Sequence, residues 1–305
     1  MMMDELRDMA GTFGPDLNVA LLATMQASAA ILEFYNAQSA ETYVKVDGSP
    51  VTDADLASDR IIREVISAAF PNDAFLTEEG DKEQSRLTNS RCWIVDPIDG
   101  TAQYVARTGL FDVMIALVVD GVARVAVSIQ PVAGRVQAAV AGCGAWEFIN
   151  GTTNRFLIVP SPVPPRVVSS KWYGGRDVER GAAIRRIGAR LGDPNPRVLE
   201  VGYQSRAFSP DLRRFDVFVG LPQPDHGSIA QEWDLACVDL ITHEAGGVLT
   251  DCWGRRHMYN KRSSGIAGGI LVSASHGLHE HLLAAVAPEL PAQPPALDPW
   301  DDGVR

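Results

Sequence analysis

The segment Trp93-Ile-Val-Asp96-Pro97-Ile-Asp99-Gly100-Thr101 constrains this chain most. An apolar strand runs straight into two carboxylates three positions apart, with Pro97 and Gly100 shaping the backbone around them. Taken alone, Asp-Pro and Asp-Gly are also common turn dipeptides. Other acids change the reading. Glu78-Glu79 follow a short apolar strand at Ala74–Leu76, Asp55 sits at a helix start where capping competes, and Asp234 follows Trp233 in a helical segment ending in Glu244-Ala-Gly-Gly247. Hard carboxylate oxygens after strands and at helix starts are what Mg²⁺ takes, with no His or Cys required. Two like charges about 4 Å apart repel by roughly 4 kcal/mol at an effective dielectric near 20. A cluster of Glu78, Asp96, Asp99 and Asp234 therefore resists folding, or holds protons, unless cations fill it. The stretch from Gly100 to Tyr104 is able to open a helix whose free N–H groups cradle an oxyanion, and Thr101 adds a hydroxyl.

Composition excludes some partners. The chain of 305 residues carries 27 Lys and Arg against 38 Asp and Glu, a net charge of −11, which argues against a nucleic-acid polymer or an anionic membrane surface. It does not argue against small anionic substrates, because bound cations reverse the local field. No unbroken run of about 18 apolar residues suggests a membrane span. The acidic start Met1-Met-Met-Asp-Glu-Leu-Arg-Asp-Met-Ala10 is not that of a secretory signal, so a cytoplasmic protein is expected. Cys92, Cys143, Cys237 and Cys252 form no CxxC pair and fit burial in a reducing compartment.

Hydrophobic spacing predicts a helix from Asp16, as N-cap, to about Gln38, and a second from Thr52, where Thr52-x-x-Asp55 resembles a capping box, up to Pro71. Strands are expected at Ala74–Thr77, Cys92–Val95, Phe111–Val119, Val122–Ile129, Val136–Ala141 and Arg155–Val159, with hairpins at Asp120-Gly121 and Ala133-Gly134, as in an antiparallel sheet. Pro160-Ser-Pro-Val-Pro-Pro165 interrupts any ladder. Beyond it strands at Arg166–Ser169, Val198–Val201, Val217–Val219, Val248–Thr250 and Ile270–Ala274 alternate with helices at Asp177–Leu191, Ser228–Ala245 and Leu278–Val286, an α/β pattern. The expected organisation is an N-terminal α+β domain over 1–160, a C-terminal α/β domain over 161–287, and a Pro-rich, acidic, unstructured tail over 288–305. His276, His279 and His281 are expected on the solvated side of the last helix.

The motifs together resemble the inositol monophosphatase superfamily of Mg²⁺-dependent, lithium-sensitive phosphatases. The matching pieces are Lys45 with Ser49-Pro-Val-Thr-x-Ala-Asp55, Thr77-Glu-Glu79, Trp93 to Thr101, and Trp233-Asp234 with Glu244-Ala-Gly-Gly-Val-Leu-Thr-Asp251, in family order over about residues 16 to 287. The resemblance implies a layered α-β-α-β-α sandwich of two sub-domains with the site between them. It implies Glu78, Asp96, Asp99, Asp234 and the Ile98 carbonyl as ligands for two or three Mg²⁺ ions, with Glu79 behind them and Lys45 on a mobile loop. It implies Asp55, Thr101 and Glu78 as catalytic, and the backbone of Gly100, Thr101 and Ala102 as the phosphate cradle. Gly202, Tyr203 and Gln204 occupy the position where relatives contact substrate. A homodimer is expected on the same ground.

The glutamate that inositol-specific relatives carry seven residues before the Trp-Asp aspartate is here Gly227, in what resembles an inserted loop from Leu221; Asp225 and Glu232 are the nearby acids. Asp47-Gly-Ser-Pro-Val-Thr, Phe111-Asp-Val-Met-Ile-Ala-Leu, Gly142-Cys-Gly-Ala-Trp146 and Met258-Tyr-Asn260 lean toward the 3'(2'),5'-bisphosphate nucleotidase branch. Inositol-1-phosphate, sugar-phosphate and histidinol-phosphate phosphatases are the alternatives, and a non-catalytic regulatory protein on the same scaffold is the alternative of another class.

Overall fold

The computed structural model describes residues 11–45, 48–80, 84–160, 164–170, 177–199, 216–223 and 228–295. Packing divides the chain into two compact units. The first runs to Phe156 and takes in Trp233–Glu244; the second holds Leu157–Glu232 and the chain from Ala245.

The first unit begins with α1 (Gly14–Ala37), the hairpin of β1 (Thr42–Val44) and β2 (Pro50–Thr52), and α2 (Asp53–Ala69). Phe13, not Asp16, is the N-cap of α1, with a Pro at N1/N2. Pro is pre-organised for a first turn, so the helix starts earlier than the polar residue suggested. Asp16 lies inside that turn and pairs with Arg91 at 2.6 Å. α1 is long and apolar enough to match a membrane-crossing helix, its most apolar 18-residue stretch having a mean hydropathy of 1.4. Its apolar residues are interleaved with polar ones, so it contains no unbroken apolar run of that length. Leu17, Ala20, Leu21, Ala27 and Ile31 are fully buried in the core that α1 forms with α2, and α1 also packs on the sheet.

That sheet has seven strands in chain order: β3 (Ala74–Thr77), β4 (Arg91–Asp99), β5 (Asp112–Val119), β6 (Val122–Gln130), β7 (Arg135–Val140), β8 (Gly144–Ile149) and β9 (Thr152–Arg155). Neighbours are antiparallel except β3 and β4. Short turns explain the order from β5 onward. Asp120 and Gly121 both take positive φ, 50° and 79°, the geometry that matches the twist of a two-residue hairpin. The expected strand Arg155–Val159 is not formed: β8 and β9 take its place. Asn150-Gly151 turns between them with φ of 52° and 78°, a hairpin signal the sequence carried. Both faces of β5 are buried, which is why it reads as one continuous apolar run. α3 (Thr101–Val105) follows β4 directly.

The second unit contains β10 (Val167–Ser170), α4 (Val178–Leu191), β11 (Arg197–Leu199), β12 (Val217–Gly220), β13 (Ala230–Gln231), β14 (Val248–Thr250), β15 (Gly265–Ile266), β16 (Ile270–Ser273) and α6 (His276–Val286). Its main sheet has the order β11-β10-β12-β16-β14, with β10 parallel to β11 and β12, and β16 antiparallel to β12 and β14. α5 (Glu232–Glu244) starts later than Ser228 because Ala230–Gln231 pair with Gly265–Ile266 instead. Gly246, at φ 91°, follows the end of α5 as expected.

His276 and His281 are exposed, but His279 is buried, not solvated. Its ring nitrogens meet Thr250 Oγ1 and Ser273 Oγ, each at 2.9 Å, and two hydroxyls make that burial tolerable. Part of the segment expected as an unstructured tail is folded: Ala287–Glu289 form a 3₁₀ turn and Glu289 pairs with Arg186 at 2.6 Å and Arg190 at 2.8 Å. Residues 296–305 lie outside the described residues. The four cysteines are free, three of them buried.

Candidate active site

β4 delivers the central acids. Its ladder with β5 pairs Asp96 with Met114 and Asp99 with Asp112, so one extra residue is accommodated between them. Pro97 lacks the N–H a regular ladder needs, and a bulge there re-aims the side chains around it. Ser58 Oγ, on α2, donates to the Pro97 carbonyl at 2.9 Å and ties the bulge to the helix; this buried contact was not foreseen, and only the buried face of α2 pointed to it. Gly100 then takes φ 94° and ψ 41°, a left-handed conformation that turns strand into α3 within one residue. Gln103 and Tyr104 N–H both donate to the Gly100 carbonyl. The Thr101 and Ala102 N–H groups ahead of them have no intrahelical acceptor, as at any helix start.

α5 delivers the third acid. One carboxylate oxygen each of Asp96, Asp99 and Asp234 lies within 4.8 Å of the others. Asp96 is buried, and its Oδ1 has no hydrogen-bond partner. Burial first, and then the charges of Glu78, Asp99 and Asp234, hold its carboxyl well above the ordinary range. At 4.8 Å each ionised pair repels by about 3 to 4 kcal/mol at an effective dielectric near 20. An orphaned oxygen inside a purely carboxylate cluster fits a hard divalent cation. All three residues, and Glu78, belong to the first unit.

Glu78 bears on Asp96 electrostatically, and its carboxylate is engaged by Lys45. The Lys45 Nζ lies 2.6 Å from Glu78 Oε1 and 2.5 Å from Glu79 Oε1. Burial works to lower the Lys45 ammonium, but its bonds to the two glutamates outweigh this and raise it. Burial pushes Glu79 up to about 7, against the hydrogen bond from Lys45 and with the charge of Glu78 adding to it.

Asp55 and Thr101 meet as expected. Thr101 Oγ1 donates to Asp55 Oδ1 at 3.0 Å; its distance to the Ile98 carbonyl is longer, 3.3 Å. Asp55 Oδ2 accepts the Thr52 N–H at 2.8 Å, the reach-back bond of the capping box, so this acid both caps α2 and faces Thr101. Burial raises the Asp55 carboxyl, opposed by its hydrogen bonds from Thr52 and Thr101. Gly202, Tyr203, Gln204, Asp225 and Gly227 lie outside the described residues. Glu232 is fully buried and holds the Asn260 and Lys261 N–H groups and Lys261 Nζ, the last at 2.5 Å.

Residues 15–194 match the family described as the Inositol monophosphatase family. A histidinol-phosphatase of Chlorobaculum parvum is 31% identical over 89% of this chain and 96% of its own length. A 3'(2'),5'-bisphosphate nucleotidase, CysQ, of Escherichia coli O157:H7 is 29% identical over 81% of this chain and 95% of its own. Among solved structures, an inositol monophosphatase from Zymomonas mobilis superposes with a TM-score of 0.69 at 22% identity, covering 91% of this chain and 99% of that one.

Proposed function

From the premise that this chain belongs to the inositol monophosphatase family of phosphatases, we propose that it is a Mg²⁺-dependent phosphomonoesterase that hydrolyses a small phosphate ester with metal-activated water. The observation that carries the reading is the gathering of Asp96, Asp99 and Asp234 beside the Thr101–Asp55 pair. Asp96, Asp99, Asp234, Glu78 and the Ile98 carbonyl would hold the ions, whose charge lowers the pKa of water and neutralises phosphoryl oxygens when they are bound. Thr101 Oγ1 has one proton. Given to Asp55 Oδ1, it leaves an oxygen lone pair to accept a proton from the attacking water. The raised Asp55 carboxyl suits a group that takes a proton and returns it. The Thr101 and Ala102 N–H groups at the start of α3 suit a phosphoryl oxygen, with charge and position supplying the catalysis.

For the substrate, histidinol phosphate is ranked first, because the relative named histidinol-phosphatase aligns over more of this chain than the one named nucleotidase. The Phe111 to Leu117 and Gly142 to Trp146 motifs keep adenosine 3',5'-bisphosphate as the second reading. Phosphate release with Mg²⁺ on histidinol phosphate, adenosine 3',5'-bisphosphate, inositol 1-phosphate and fructose 1,6-bisphosphate ranks them by kcat/KM. Histidinol phosphate should lead; a lead for the bisphosphate selects the second reading, and turnover of none defeats the assignment. A cytoplasmic homodimer completes the proposal, tested by sedimentation and cell fractionation.

A further inference from the structure

α5 carries Asp234 near its start and Glu244 at its end, ten residues and about 15 Å apart along a helix. Leu235, Ala236, Cys237, Val238 and Ile241 are at most 1% exposed. The Cys237 thiol meets backbone groups of Ile115 on β5 and Val127 on β6. Such packing is non-directional: it fixes which face of the helix is covered, not how far the helix slides along its axis.

Glu244 supplies a directional contact at the C-terminal end of the helix. Its Oε1 accepts the Gly142 N–H at 2.8 Å, in the turn from β7 to β8, and its Oε2 accepts the Gly144 N–H at 2.7 Å, at the first residue of β8. Hydrogen bonds to a carboxylate are short and strong, and using both oxygens sets orientation as well as distance. The turn is itself held. Arg155 Nη1, on β9, donates to the Cys143 carbonyl at 2.7 Å, while its guanidinium lies 5.0 Å from the centre of the Trp146 ring. Gly144 has φ 103°, and a Cβ there would lie 2.1 Å from Arg155 Nη2, so only glycine admits this clamp.

We infer that Glu244 is a positioning residue for the metal site: by locking α5 to the β7–β8 turn it sets the axial register that brings Asp234 to Asp96 and Asp99. This rests on the metal-dependent reading above. Asp96 and Asp99 come from β4 and Asp234 from α5, so the sheet is their common frame. Metal–ligand distances tolerate only a few tenths of an ångström, and an axial slip of α5 reaches Asp234 undiminished.

The test is Mn²⁺ binding to the full chain, followed by electron paramagnetic resonance, for the parent, Glu244→Gln and Gly142→Ala. Glutamine points an NH₂ group at one of the two N–H donors. Alanine at Gly142 meets no atom within 4 Å but strains the positive φ of 74°, disturbing the same contact from the sheet side. Each folded variant, checked by circular dichroism, should bind Mn²⁺ about tenfold more weakly, the low end of losses when support for a metal ligand is removed. The double variant should lose little more, because both changes break one contact. Parental Mn²⁺ affinity in the folded variants, whatever their melting temperature, overturns the inference and leaves a merely structural tie. If Glu244→Gln does not fold, Gly142→Ala decides alone. A parent chain that binds no Mn²⁺ sinks the metal reading itself, a distinguishable result.

Discussion

Thr101 and Asp55 show how one side chain serves two purposes. Asp55 would be explained by its cap on α2 alone, yet its second oxygen faces Thr101. Thr101→Ala should leave Mg²⁺ binding intact and lower kcat by about 10² or more, the range for a lost proton-transfer group. Thr101→Ser should restore most of it. Steady-state kinetics beside a metal titration separate these outcomes; an unchanged kcat in Thr101→Ala removes the hydroxyl from the reaction. The same neighbourhood gives a pH dependence. Glu79 is raised from 4.5 to about 7, and Asp96 and Asp55 are raised by burial. Without metal the folded chain therefore binds more protons than the unfolded chain above the ordinary carboxylate pKa. The contribution of these groups to stability should be full below about pH 4 and be lost as pH rises toward 7. Melting in EDTA across this range checks the sign, and a melting temperature that climbs with pH contradicts it.

At the scale of elements, the site is made where regular structure is interrupted. The bulge in β4 and the left-handed Gly100 place Asp99 and Thr101 within two residues of each other but on different elements. Gly100→Ala keeps every polar group yet forces a Cβ into a left-handed backbone, at a cost of roughly 1–2 kcal/mol. The expected result is a melting temperature several degrees lower together with weaker Mg²⁺ binding. Parental values for both would show that the turn tolerates a side chain. Here the sequence was legible: Pro97 and Gly100 marked the interruption, and Thr52-x-x-Asp55 marked the start of α2. Hairpin signals placed β5, β6 and β7, while the same kind of signal at Asn150-Gly151 went unread. The burial of His279 was not legible, because amphipathic spacing does not report that Thr250 and Ser273 meet its ring.

For the whole molecule, metal binding and folding are linked. If the acids hold ions only when assembled, Mg²⁺ at about 100 times its Kd adds about 2.7 kcal/mol to stability. Differential scanning calorimetry should show a higher melting temperature with Mg²⁺ than with EDTA, and Asp99→Asn should abolish the difference. A parent protein whose melting is indifferent to Mg²⁺ speaks against the site. On the proposed reading, bound Mg²⁺ would offset the cost of burying Asp96 with an unpaired oxygen.

The sequence by itself determined the strand that ends in acids, the caps and hairpins, and the residue types of a hard-cation site. Each is a local matter of spacing, turn chemistry or donor character. Only the tertiary structure decided that α5, flanked on both sides by chain of the second unit, packs within the first. It alone put Asp234 within 4.8 Å of Asp96 and Asp99, and Glu244 on the β7–β8 turn. Those contacts join residues a hundred or more positions apart. The free energy that selects them comes from buried surface and shared hydrogen bonds, which no window along the chain contains.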